Sequence, residues 1–366
     1  MRVTQRDIAR KLNLSQSLVT GVLNDRPNVW VSEENRQRIL SAARELNYRP
    51  NAAARVLRQG RTNVVACVFF GGAIYQPIAE TLADSLAERG YDLLLKVVPK
   101  RDQADTRLEN LAYGGVCDAV VLWGLEEDTE QPAIQLASLG IPFVVKGRFE
   151  EEHPDWPQVD FDHETMMAQA VSHLAQLGHR RVAYVGFDND LVYSACLLRG
   201  YHQACESLLQ TSTPQELVGL VSTRQEDLWE LLDVWFSMPE GQRPTAIVNG
   251  AGYSVWLAAE QWLAPRGLKL GEARGDLTMV GIAGSAMPLL FGEGMAYQEA
   301  ELQDLARAMG ADVLGRLLEG STLERTVTRL LPPLRPLASL KLPLGGSAAH
   351  GAPRPHSAPK TRPSRR

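Results

Sequence analysis

A chain of 366 residues is too long for a single small core and implies two or three folded units. With 45% hydrophobic and 22% charged residues and no apolar run of bilayer length, the composition sets aside a membrane protein and a secretory leader, so a cytoplasmic location is expected. The net charge of −5 is unevenly divided: residues 1–61 carry +7, residues 341–366 add six basic groups and no acid, and the stretch between them sums to −18. A basic head on an acidic body confines nucleic-acid affinity to one end of a chain. Cys67, Cys117, Cys196 and Cys205 show no C-x-x-C spacing. Neither a zinc site nor a disulfide framework is indicated, and no cofactor is implied.

The head comes first in the chain. Thr4 with Asp7 three residues on reads as a capping-box start, and Ile8, Ala9 and Leu12 share one helical face. Ser15 caps a second short helix, residues 16–23, whose buried stripe is Val19, Val22 and Leu23. Residues 24–28, NDRPN, are turn chemistry, and Ser32 opens a third helix with Glu33 and Glu34 at its positive end. Its stripe is Ile39, Ala43 and Leu46. Three short helices with a tight break between the first two form a helix-turn-helix. The second helix is then the groove reader, and Gln16, Ser17, Thr20 and Gly21 are expected to face solvent. Gln pairs bidentately with adenine, while Ser and Thr adapt to several bases.

Asn51 can cap an alanine-rich segment that Gly60 terminates. A helix that short is marginal alone, so it would fold only when two copies pack on DNA. Leu57 is then placed to wedge into a base step, with Arg55 and Arg58 near phosphates.

Beyond residue 62 apolar runs alternate with helical patterns. The runs are VVACVFF (64–70), DLLLKVV (92–98), DAVVLWG (118–124), PFVVKG (142–147), RVAYVG (181–186), LVGLV (217–221), TAIVNG (245–250) and LTMVGIA (277–283). Alternation of this kind implies parallel, doubly wound sheets, and the count fits two subdomains better than one. Residues 341–366 lack apolar periodicity and read as a disordered basic tail. No nucleophile–base arrangement, metal-ligand cluster or phosphate loop stands out, so an enzyme is not expected.

The head sequence, VTQRDIARKLNLSQSLVTGVLN with VSEENRQRILSAARELNYRPNAAARVLRQGRTN, resembles the lactose-repressor (LacI/GalR) family. Weaker landmarks extend the likeness to about residue 340: VDFD at 159–162, HLAQLGHRRVAYVG at 173–186, RGY at 199–201 and TMVGI at 278–282. The resemblance implies a multidomain chain: an all-α helix-turn-helix head (1–50), a hinge helix and linker (51–61), and a periplasmic-binding-protein-like α/β body (62–340). That body would comprise two doubly wound parallel-sheet subdomains, divided near 160 with crossovers near 290 and 323. Gln16, Ser17 and position 21 would read the major groove, Thr4, Ser15, Thr20 and Asn24 would touch backbone, and Leu57 would be the minor-groove lever. Arg6, Asn51, Ala54, Arg55 and Arg58 complete the DNA-contacting set. The implied partners are double-stranded operator DNA and a second copy of the chain, with a tetramer left open, and no membrane.

Two departures stand out. Position 21 usually carries Arg and here is Gly, at a cost of about 1 kcal/mol in helix propensity. The connection from Asn24 to Ser32 is two residues longer than usual. It places Trp30 in a loop, either capping the core or touching DNA or the partner domain. In the cleft between lobes, the family's ligand arginine falls on Leu197, its Asn-Asp pair on Ala251 and Gly252, and its aspartate turn on Ala283 and Gly284. These apolar replacements imply a cleft that does not take a typical sugar. Asp162, His163, Asn249, Arg199 and Gln298 remain as polar candidates, mostly structural or at the rim. Arg199 could replace the missing arginine only after a register shift of two. Phe69, Phe161 and Tyr253 are core residues or the lining of an apolar ligand site. A small-molecule effector is one reading of the body; a non-sensing body serving dimerisation or protein contact is the other.

Overall fold

The computed structural model describes residues 3–24, 29–48, 60–70, 76–98, 115–209, 215–271, 276–283, 296–319 and 326–335. The hinge residues Asn51, Ala54, Arg55, Leu57 and Arg58, the crossovers near 290 and 323, and the tail lie outside the described residues.

Three helices build the head: α1 (Gln5–Leu12), α2 (Gln16–Leu23) and α3 (Glu33–Glu45). Each begins on a side-chain cap. Asp7 N donates to Thr4 Oγ1 at 3.3 Å while Thr4 N donates to Asp7 Oδ2 at 2.9 Å, so two otherwise orphaned amides are satisfied reciprocally. Leu18 N donates to Ser15 Oγ at 3.2 Å, and Asn35 N to Ser32 Oγ at 3.3 Å. Asn13 ends α1 in the left-handed region at φ 55°, which Asn tolerates through local hydrogen bonding. Ile8, Val19, Val22 and Ile39 meet in a small core, joined at its margin by Val29 and Val31.

The body holds two six-stranded sheets. The first contains β1 (Val64–Phe70), β2 (Asp92–Val98), β3 (Ala119–Trp123), β4 (Phe143–Lys146), β5 (Gln158–Phe161) and β11 (Val327–Leu330), in the order β11-β5-β4-β3-β1-β2. The second contains β6 (Val182–Phe187), β7 (Val218–Val221), β8 (Ala246–Asn249), β9 (Thr278–Ala283), β10 (Ala296–Glu299) and β12 (Leu334–Arg335), in the order β12-β10-β9-β8-β6-β7. Both sheets place their first strand second from the edge, the doubly wound order. The registered pairs are parallel except β12, which runs antiparallel to β10. Helices α4 (Gln76–Ala87), α5 (Glu126–Ser138), α6 (His163–Gln176), α7 (Val192–Ala204), α8 (Gln225–Ser237), α9 (Tyr253–Leu263), α10 (Leu302–Arg307) and α11 (Gly315–Leu318) connect them.

Apolar strands such as β1 are buried along nearly their whole length, as parallel strands covered on both faces must be. Four short strands, β5, β10, β11 and β12, fall outside the apolar-run pattern. Gln158, Asp160, Gln298, Arg329 and Arg335 interrupt their hydrophobicity, and pairing rather than composition makes them strands. The second sheet's core is tryptophan-rich: Trp235, Trp256 and Trp262 pack with Leu228, Leu232 and Val255. Two of the indoles satisfy their N–H groups, Trp235 on Glu216 O at 2.8 Å and Trp262 on Asp233 Oδ1 at 3.0 Å. By compactness the chain divides into residues 1–144 with 310–323, and 145–309 with 324–366.

Candidate nucleic-acid interface

On α2 the buried side is set by Val19 and Val22, with Leu18 and Leu23 partly buried beside them. At about 100° per residue the opposite side carries Gln16, Ser17, Thr20 and Gly21. Gln16 and Ser17 are exposed, as a base-reading pair must be. Thr20 is half-buried and its hydroxyl donates to Gln5 Oε1 at 2.7 Å, fixing α1 against the reader helix. Asn24 Nδ2 donates to Thr20 O at 2.6 Å, so its amide closes the end of the helix. Ser15 caps the helix and stands 3.1 Å from Ser17, hydroxyl to hydroxyl. Thr4 is held by Asp7, whose carboxyl that hydrogen bond keeps below its usual range. Arg6 is exposed on α1, next to this face in sequence.

Gly21 departs from the expected exposure. It is buried, because the Val29 side chain lies directly over it: a Cβ at position 21 would sit 2.4 Å from Val29 Cγ2. Val29 therefore lies over the end of the reader helix, and the glycine leaves room for it. Trp30 departs from the core-capping reading. Val29 and Val31 both pack on the head core, which turns the indole between them outward, and Trp30 is 98% exposed.

In the body, most of the candidates have a structural role or a buried position. Phe69 and Phe161 are buried, the first with its ring 6.0 Å from that of Trp123. Asp162 caps α6, accepting from Thr165 N at 3.1 Å and Thr165 Oγ1 at 2.8 Å. Leu197 and Ala251 are buried. Asn249 is consumed by its own turn, donating to Gly252 O at 2.8 Å and accepting from Ala251 N at 2.9 Å. Gln298 is fully buried and donates to Met166 O in the first turn of α6. Ala283 closes β9, and its side chain lies outside the described residues. Tyr253 is exposed, which removes it from the core.

Arg199 pairs with Glu164 at 2.6 Å, an interaction that sequence reasoning missed. Glu164 also takes Arg148, which reaches Glu150, and Glu150 takes Arg329, giving an alternating chain of five charges. Burial raises the Glu164 pKa, but the hydrogen bonds from Arg199 and then Arg148 outweigh it and bring it to about 2. Arg148, Glu150, Asp190, Cys196 and Arg199 help line a surface pocket of about 300 Å³. Nothing local in the sequence announces this network, because Arg329 and Glu150 lie 179 residues apart. Nearby, His163 Nδ1 faces Asp160 Oδ2 at 4.0 Å, and both atoms lack a hydrogen-bond partner. Burial pushes the His163 pKa down, with Asp160 opposing. Among the described residues no cluster of three or more His, Cys, Asp or Glu is arranged for a metal, and no helix is long and apolar enough to cross a membrane.

Residues 4–51 match the model of bacterial regulatory proteins of the lacI family, and residues 68–273 match that of periplasmic binding proteins and the sugar binding domain of the LacI family. The chain is 28% identical over 327 residues to the HTH-type transcriptional regulator AglR of Rhizobium meliloti (strain 1021), covering 87% of this chain and 88% of that one. It is 25% identical over 336 residues to catabolite control protein A of Priestia megaterium, covering 90% and 97%. Among solved structures, the lac repressor dimer bound to operator and the anti-inducer ONPF superposes with a TM-score of 0.72 at 21% identity, covering 92% of this chain and 98% of that one. The complex of the transcriptional regulator CelR with cellobiose gives 0.61 at 24%, covering 92% and 99%. With both its head and more than half its length matched, this chain belongs to the LacI family of transcriptional regulators, not to a family of enzymes.

Proposed function

We propose that this protein is a cytoplasmic transcriptional repressor that binds a pseudopalindromic operator as a homodimer. The observation that carries the reading is α2 itself: a capped helix presenting Gln16 and Ser17 to solvent from a basic head. Two copies related by a two-fold axis would place two such helices in successive major grooves. In this reading, residues 51–60 form paired hinge helices between the heads, with Leu57 wedged into the central base step, Asn51 as cap and Ala54 at the contact, while Arg55, Arg58 and Arg6 meet phosphate. Selection of bound duplexes from a random-sequence pool tests it. An enriched inverted repeat is expected; enrichment of no sequence would remove the reading.

Whether the body senses a small molecule is a separate matter. The relatives include a regulator solved with cellobiose. Here the positions where the resemblance puts polar ligand contacts hold the buried Leu197 and Ala251, and the Asn249 amide is engaged by its own turn. These observations favour a second reading, in which the body serves dimerisation or protein contact and binds no saccharide. Thermal melting of the full chain against panels of mono- and disaccharides and nucleosides separates the two. An unchanged melting temperature across all the panels supports this reading, and a rise of several degrees with any one compound overturns it.

A further inference from the structure

The long connection between α2 and α3 builds a contact surface of its own. Gly21 stands one turn beyond Ser17 on the side of α2 that carries Gln16 and Ser17, and Val29 fills the space above it. The loop segment holding Val29 is therefore laid along the second half of the reading face. Val31 packs inward as well, so the chain is pinned on both sides of Trp30. The indole projects from that pinned segment at 98% exposure, while among the described residues the next most exposed large apolar side chain, Tyr253, stands at 60%. A fully solvated indole on an otherwise charged and polar head gains nothing for folding. The two valine anchors hold its backbone beside the end of α2, which places the indole within reach of what that helix meets.

We propose that Trp30 is a specificity-determining residue that reads a thymine in the major groove, its indole face packing on the thymine C5-methyl group beside the base pairs met by Gln16 and Ser17. This rests on the DNA-binding reading above. The chemistry fits: α2 offers the polar Gln16 and Ser17, which hydrogen-bond to base edges, and the methyl group of thymine is the apolar mark in the major groove. Gly21 is the enabling residue, since any side chain there would displace Val29 and with it the indole.

The test uses the full-length protein and three kinds of probe: the duplex that wild type recovers from a random-sequence pool, its scrambled counterpart, and copies with each thymine replaced in turn by uracil, which lacks the methyl group. Trp30→Ala is expected to lose about tenfold or more on the recovered duplex and nothing on the scrambled one. One thymine-to-uracil replacement should weaken wild type about fourfold, the worth of a buried methyl group, and leave Trp30→Ala indifferent. Trp30→Phe should retain sensitivity to that replacement. Because Trp30 is solvated, the variant's melting temperature should equal that of wild type; a lowered one would show a structural role and overturn the proposal. So would equal losses on recovered and scrambled duplexes, which assign the indole to the sugar–phosphate backbone, or a Trp30→Ala protein that binds as wild type does. If wild type recovers no duplex at all, the DNA-binding reading itself fails, a result distinct from any of these.

Discussion

Ser15 shows how much a single side chain decides in this head. Its hydroxyl caps α2 by accepting from Leu18 N, and α2 has only eight residues. Ser15→Ala should cost the head about 1 kcal/mol and weaken binding to every duplex, read as a lower melting temperature and a higher Kd together. Glu164 makes a different prediction. Its carboxyl titrates near 2 in the folded protein and near 4.5 when unperturbed. The unfolded chain therefore takes up the proton first as pH falls. The stability this group contributes is complete above pH 4.5 and is lost as pH drops toward 2. Glu164→Gln should accordingly flatten the acid limb of a stability–pH profile between those values. An unchanged limb would show that the two arginines do not hold the carboxyl down. The Ser15 cap was legible in the sequence, but the Glu164 pairing was not: Glu164 looks like any acidic first-turn residue, and its arginines come from a loop and from another helix.

Among the elements, legibility followed hydrophobic pattern. Strands that are apolar throughout, such as β1 and β3, announce themselves, and so do the capped helices of the head. Strands carrying Gln158, Asp160 or Gln298 do not, because their identity depends on a neighbour in the sheet. The loop over Gly21 was illegible for the same reason. Its length marked it as unusual, but only the fold shows Val29 against the glycine. Gly200, visible in sequence only as part of an RGY landmark, is where α6 and α7 approach: a Cβ there would lie 2.6 Å from Glu164 Cα. Backbone cannot step aside as a side chain can. Gly200→Ala should destabilise the body by about 1–3 kcal/mol or more, seen as a lowered urea midpoint, whatever alanine gains in helix propensity. A midpoint equal to wild type would contradict so close a packing.

For the whole molecule, the division of charge sets the behaviour. A head of +7 attached to a stretch of −18 should bind any duplex weakly and with steep salt dependence, while sequence preference comes from a few side chains. Leu57→Ala should then lower affinity for the recovered operator while sparing scrambled DNA, because the proposed wedge acts only where paired hinges form. The central claim is that this chain reads sequence through its head. Equilibrium titration of the full-length protein with the recovered duplex and its scrambled counterpart, from about 50 to 200 mM salt, tests it most directly. Affinity should fall with salt for both, with a specific-to-scrambled ratio on the order of 10³ or more. Equal affinity for the two duplexes across that range would contradict it.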